Sequence, residues 1–144
     1  LHPWTSDPIK QWPIDNFCEL TKRLAKESDI RVIIIGGKEE QSKAIELDSN
    51  LGDRITNLTG KTTLIQLALL LKKCKLLVSG DSGPVHLASA VGTRVVAIFR
   101  NDIPAKAAKR WGPWGNGHWV IEKPSLLDIR VDEVLNKVKE MLEK

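Results

Sequence analysis

Cysteine is scarce in this chain: Cys18 and Cys74 are the only two among 144 residues. They lie far apart, match no metal-ligand spacing and form no CxxC pair, so a disulfide framework and a zinc site are both excluded. Each falls in a helix-like pattern, as expected of buried free thiols in a reducing compartment. No apolar run approaches the roughly 18 residues of a membrane-crossing helix, and no signal-peptide pattern is present. The net charge is a modest +4. The lysines are scattered through amphipathic segments, without the clustered stripe or motif of a nucleic-acid binder. Internal repeats and low-complexity linkers are also missing. There is no initiator Met; the chain opens on Leu1-His2-Pro3 as though inside a strand. A C-terminal piece of a longer protein is the expectation.

What is present is a chain of 42% hydrophobic and 28% charged residues, enough for one domain, 1–144, with a proper core. Phe17, Leu20 and Leu24 share a face of a helix expected over 15–27, with Asp15 as its N-cap. Ile30 to Ile35 is a β-branched run ending at Gly36-Gly37, the pattern of a buried parallel strand. Helix is expected over 39–50, a short strand over 54–58, and helix over 63–73, capped by Thr62 with Leu64, Leu67, Ala68 and Leu71 inward. A strand over 75–79, a turn over 80–83 and a helix over 84–91 follow. Residues 94–99 return as strand, 101–118 read as irregular, 119–122 as a weak strand and 131–142 as an amphipathic helix. Strands alternating with helices indicate an α/β, Rossmann-like doubly wound parallel sheet. Ligands sit beyond the carboxyl ends of such strands, which points to loops 3–13, 36–40, 58–63, 80–86 and 100–117.

The turn Gly80-Asp81-Ser82-Gly83-Pro84-Val85-His86 is the most informative of these. A strand that feeds a helix through small residues leaves main-chain N–H groups unpaired at the positive end of the helix dipole, which suits an anion. Gly83 permits close approach, and the Ser82 hydroxyl either caps the helix or meets a phosphate oxygen. Asp81 repels phosphate and suits sugar hydroxyls or backbone N–H groups instead. His86 is either near a bound anion or a plain surface histidine. In loop 3–13, Thr5, Ser6 and Lys10 suit a diphosphate, although Lys10 equally fits a solvated position on a Pro-rich connector; Trp12 is expected to pack on the following helix. Glu39 and Glu40 after Gly36-Gly37 fit a ribose, or simply the first turn of a helix. Gly60-Lys61-Thr62-Thr63 lacks the first half of a P-loop, and no strand is followed by GxGxxG, which disfavours a dinucleotide oxidoreductase. Trp111 and Trp114 either shape a pocket or cover the sheet edge. No nucleophilic triad or metal cluster is apparent, and Asp102 and His118 have no obvious partners.

Taken in order, His2-Pro3, Lys10-Gln11-Trp12-Pro13, Ile35-Gly36-Gly37, Leu58-Thr59-Gly60-Lys61-Thr62, Asp81-Ser82-Gly83-Pro84-Val85-His86-Leu87-Ala88-Ser89-Ala90, Pro113-Trp114-Gly115 and Ile129-Arg130-Val131 resemble the C-terminal half of family 9 glycosyltransferases, the ADP-heptose:lipopolysaccharide heptosyltransferases. The resemblance covers nearly the whole chain. It implies the donor-binding half of a GT-B fold, with the acceptor domain absent from these residues. It implies that Thr5, Ser6, Lys10, Asp81, Ser82, Gly83 and His86 contact the donor diphosphate and sugar. Glu39 or Glu40 would hold the ribose, and Thr62 would lie near the base. Transfer would invert the anomeric centre without metal or cofactor, with ADP-heptose as substrate and a lipid A/Kdo-type glycolipid as acceptor. The general base would be an aspartate of the N-terminal domain, so no catalytic residue is assigned here. A cytoplasmic enzyme, with peripheral association at the inner membrane, follows from the same resemblance. Trp4 replaces a usual glycine and would narrow the phosphate loop; Thr62 replaces a usual apolar residue. The rival reading is a non-catalytic nucleotide-binding or regulatory module on the same scaffold.

Overall fold

The computed structural model describes residues 1–27, 29–48 and 52–144, with side chains omitted at 45–48. Two parallel sheets form. One pairs β1 (Val32–Ile34) with β2 (Ile55–Asn57); the other runs β3 (Leu76–Gly80), β4 (Arg94–Arg100), β5 (Trp119–Lys123). The segment Leu1–His2 joins them. Ile35 N–H donates to Leu1 O at 3.0 Å on one side, and His2 N–H donates to Val78 O at 2.9 Å on the other, within a parallel bridge to Ser79. Counting that segment as the first strand, the order across the sheet is third, second, first, fourth, fifth, sixth, which is the Rossmann arrangement. The doubly wound expectation holds, with the first strand contributed by residues too few to be read as one from sequence.

Side chains of β3 and β4 alternate between two cores, as strand geometry requires. Val78, Val96 and Ile98 join Trp12, Phe17, Leu20, Val134 and Val138 on the face covered by α1 (Ile14–Ala25) and α6 (Val131–Glu143). Leu77, Val95, Ala97 and Phe99 join Leu71, Val85 and Ala88 on the face covered by α3 (Leu64–Lys73) and α4 (Gly83–Ala90). Helix α2 (Gln41–Asp48) seats Ala44 on Trp4 and Ile34.

Several local expectations are corrected. Helix α1 starts one residue early, after Pro13, so Asp15 lies in its first turn and does not cap it. Thr63, not Thr62, caps α3: its hydroxyl accepts from Gln66 N–H at 3.2 Å while Gln66 Oε1 accepts from Thr63 N–H at 2.9 Å. Leu67, Leu70 and Leu71 face the sheet. Leu64, the first residue of α3, is 72% exposed instead of inward. Cys18 and Cys74 are half-buried, not buried. The end of the helix expected to reach residue 50 lies outside the described residues. The stretch 101–118 holds a 3-10 turn at Pro104–Lys106 and the short helix α5 (Ala108–Trp111).

Trp12 packs on the following helix, as expected. Its ring meets Phe17 edge-on at 4.8 Å, and its Nε1–H donates to Ile129 O at 2.9 Å. Trp12→Ala should therefore cost about 3–5 kcal/mol of stability in urea unfolding. Trp12→Phe should cost less, because a large part of the buried ring is kept while the Ile129 carbonyl loses its partner.

Candidate functional site

In an open doubly wound sheet the ligand crevice opens where the strand order reverses. Here that point lies between His2 and Ser79, and the loops leaving it are 3–13 and 80–86. They meet. Lys10 Nζ stands 2.5 Å from Asp81 Oδ2, in a pair whose side chains are 22% and 9% exposed. A Cβ added at Gly80 would lie 3.3 Å from Thr5 Cγ2 and 3.4 Å from Lys10 O, so the two loops are in close contact.

The turn after β3 behaves partly as expected. Pro84 occupies the first turn of α4, and Val85 N–H is already bonded to Ser82 O at 3.2 Å. The N–H groups of Ser82 and Gly83 donate to no acceptor among the described residues. Nothing lies within 4 Å of where a Gly83 Cβ would stand. These two N–H groups, at the positive end of α4, remain available to an anion. His86 is exposed on the first turn of the helix.

Other side chains sit differently from the expectation. Asp81 faces Lys10 rather than main-chain N–H groups. Ser82 does not cap α4; its Oγ lies 2.8 Å from Ser79 Oγ. The Thr5 hydroxyl is turned inward, donating to Asp7 O at 2.9 Å, while Ser6 is exposed. Of the two acids after β1, Glu40 accepts from Gly37 N–H at 2.6 Å, while Glu39 is exposed without a hydrogen-bond partner among the described residues. Thr62 is half-buried at the mouth of the β2–α3 loop. The Trp4 ring does not project into an entrance. It is 4% exposed and lies on Gly36, where any Cβ would come within 2.6 Å of it. Gly60 has φ +71° and donates to Gly36 O at 2.9 Å, so the Gly60-Lys61 stretch is folded onto β1 and forms no P-loop.

Residues that sequence reasoning left without a role support the crevice from behind. Arg100 pairs with Asp102 and donates from Nη1 to Ile9 O at 3.1 Å. Lys106 pairs with Asp7. Loop 100–106 thus braces loop 3–13. His118 Nε2 lies 3.1 Å from Trp114 O. Asp7 and Asp102 are both held below the usual carboxylate range, chiefly by hydrogen bonds from Lys106 and Arg100 respectively. His2 was visible only as part of a dipeptide. Burial brings its imidazole down to about 3. Its Nδ1 lies 3.2 Å from Ser79 Oγ. A concavity of about 520 Å³ lined by Leu24, Ile30, Lys75, Leu76 and Leu142 opens at the amino ends of β1 and β3, away from these loops.

The fold defines a doubly wound α/β domain whose loops 3–13 and 80–86 meet at its switch point. The sequence profile of glycosyltransferase family 9 (heptosyltransferase) matches residues 1–127, and the chain belongs to that family. It is 32% identical over 110 residues to the lipopolysaccharide core heptosyltransferase OpsX of Haemophilus influenzae, covering 75% of this chain and 31% of that protein. It is 32% identical over 101 residues to lipopolysaccharide heptosyltransferase 2 of Salmonella typhimurium, covering 67% of this chain and 29% of that protein. Among solved structures, ADP-heptose lps heptosyltransferase II of E. coli superposes with a TM-score of 0.84 at 28% identity, over 99% of this chain and 45% of that one. E. coli heptosyltransferase WaaC with ADP gives 0.84 at 25%, over 96% of this chain and 42% of that one. The chain therefore spans about a third of those curated relatives and less than half of those solved chains.

Folded His2 takes up a proton only near pH 3, whereas an unfolded histidine does so near 6.5. Between those values the unfolded state binds more protons, so stability falls as pH drops below 6.5, by at most about 1.4 kcal/mol per pH unit from this group. Urea unfolding of wild type and His2→Gln from pH 7 to 4 should converge accordingly. A stability difference that stays constant with pH would contradict the buried neutral imidazole.

Proposed function

We propose that this chain is the donor-binding half of a GT-B enzyme that transfers heptose from ADP-heptose to the inner core of lipopolysaccharide, with inversion. Family membership supports the reaction class, and the Lys10–Asp81 pair at the switch point carries the assignment of the site. Residues 1–144 act as one nucleotide-sugar-binding domain, and the acceptor, a lipid A/Kdo-type glycolipid, is held by an N-terminal domain of the full-length protein. Among the described residues no helix is long and apolar enough to cross a membrane. A cytoplasmic enzyme associating peripherally with the inner membrane is the arrangement proposed.

The donor diphosphate lies against the N–H groups of Ser82 and Gly83 and draws Lys10 toward it, releasing the Asp81 carboxylate to accept from sugar hydroxyls. Ser6 and His86 border the same crevice, and Thr5 contributes after turning from Asp7. Glu39 receives the ribose hydroxyls, since Glu40 is already engaged by Gly37, and Thr62 lies toward the base. In the transfer step the acceptor oxygen forms a bond to the anomeric carbon as the carbon–phosphate-oxygen bond breaks. The electron pair leaves with ADP, whose growing charge Lys10 and the α4 N–H groups stabilise. The acceptor proton passes to a base outside these residues. No metal or additional cofactor takes part.

A thermal-shift panel of ADP, UDP and GDP on the full-length protein should show stabilisation by ADP alone. Lys10→Ala should weaken ADP binding about tenfold or more, as expected for loss of a charge-assisted contact. Unchanged calorimetric affinity in Lys10→Ala would remove Lys10 from the role, and a preference for UDP or GDP would replace the nucleotide. Residues 1–144 alone should transfer nothing.

A further inference from the structure

Beneath the crevice runs a chain of polar atoms that the reading above leaves unused. Ser79, fully buried at the end of β3, places its Oγ 3.2 Å from His2 Nδ1, 2.8 Å from Ser82 Oγ and 3.1 Å from Gly80 O. A hydroxyl has one hydrogen and two lone pairs, and a carbonyl oxygen only accepts. If all three contacts are hydrogen bonds, the Ser79 hydrogen must go to Gly80 O. Ser79 Oγ must then accept from both His2 Nδ1–H and Ser82 Oγ–H. No other distribution of hydrogens satisfies the three together. The burial of His2 fits, because a neutral imidazole carries its hydrogen on one nitrogen only.

We infer that His2 and Ser79 are positioning residues that fix the hydrogen-bond direction of Ser82, so that its hydroxyl offers only lone pairs to the crevice and selects sugar hydroxyls over phosphate oxygens. This rests on the donor-site reading above. Ser82 is half-exposed at the start of α4, and its hydrogen is spent inward. A diphosphate oxygen, which can only accept, meets lone pair against lone pair at Ser82 Oγ and is directed to the main-chain N–H groups and Lys10. A sugar hydroxyl, which can donate, finds an acceptor there. One short polar chain thus divides the crevice into a phosphate side and a hydroxyl side. It also accounts for a serine at an N-cap position whose side chain does not cap.

Calorimetry on the full-length protein with ADP and with ADP-heptose tests this. Ser82→Ala should leave ADP affinity within about threefold of wild type and lower ADP-heptose affinity roughly tenfold, the scale of one hydrogen bond. Ser82→Thr, which keeps the hydroxyl, should restore it. Ser79→Ala should free the Ser82 hydrogen, raising or preserving ADP affinity while shrinking the gain from the sugar. Equal losses for both ligands in Ser82→Ala would mean that Ser82 donates to phosphate, and would overturn the inference. The relay also has a readout that needs no ligand and no variant. Nitrogen-15 NMR of His2 should show a neutral ring protonated at Nδ1, and a ring protonated at Nε2 would overturn it. Failure of wild type to bind either nucleotide, with the Nδ1–H tautomer observed, would instead defeat the donor-site reading and leave the relay standing.

Discussion

Main-chain hydrogen bonds made by Leu1 and His2, among them Ile35 N–H to Leu1 O and His2 N–H to Val78 O, join the structure's two sheets. Without them β1–β2 and β3–β4–β5 would be separate parallel sheets, and a two-stranded parallel pair has little stability of its own. Their position also decides where the ligand crevice can be. A segment that pairs with β1 on one side and β3 on the other forces the loops on either side to leave in opposite directions, and the gap between those loops is the candidate site. Loop 3–13 continues directly from the joining segment, so Lys10 is delivered to Asp81 by the same backbone that joins the sheets.

The electrostatics of that gap are self-contained. Lys10 is paired with the carboxylate of Asp81. Pairing limits the cost of a charge that is only 22% exposed. It also means that an anion arriving at α4 must compete for the lysine, and that the carboxylate becomes available when it succeeds. Behind this, the Asp7–Lys106 pair and the bond from Arg100 to Ile9 O tie loop 3–13 to the end of β4 and the segment after it, and Asp102 pairs with Arg100 there. These outer pairs are exposed and contribute little energy individually. Their value is geometric, because they keep a proline-rich loop from swinging away from the crevice.

How much of this was readable from residues can be judged at particular points. The alternation of strands and helices was plain because β-branched runs such as Val95 to Ile98 and the 3.6-residue spacing of Phe17, Leu20 and Leu24 are strong local signals. The Gly80–His86 turn was readable for the same reason: Pro84 and Gly83 have local conformational consequences. Leu64 was misplaced because it shares a helical face with Leu67 and Leu71 but, as the first residue of α3, lies beyond the part of the helix that packs on the sheet, and periodicity does not mark where that contact ends. Leu1–His2 could not be read as a strand, since two residues carry no periodicity. The roles of Arg100, Lys106 and Ser79 depend on partners remote in sequence or on the direction of a hydroxyl, and neither leaves a pattern.

Sequence by itself determined the class of fold, the order of its longer helices and strands and the family, because each of these is encoded in short-range spacing and composition. Tertiary structure alone decided that Trp4 lies on Gly36, that Lys10 pairs with Asp81, and that Ser79 meets His2. The physical reason is common to all three. A polar or bulky side chain near a crevice has several local partners of similar worth, and only the packing of distant segments removes all but one.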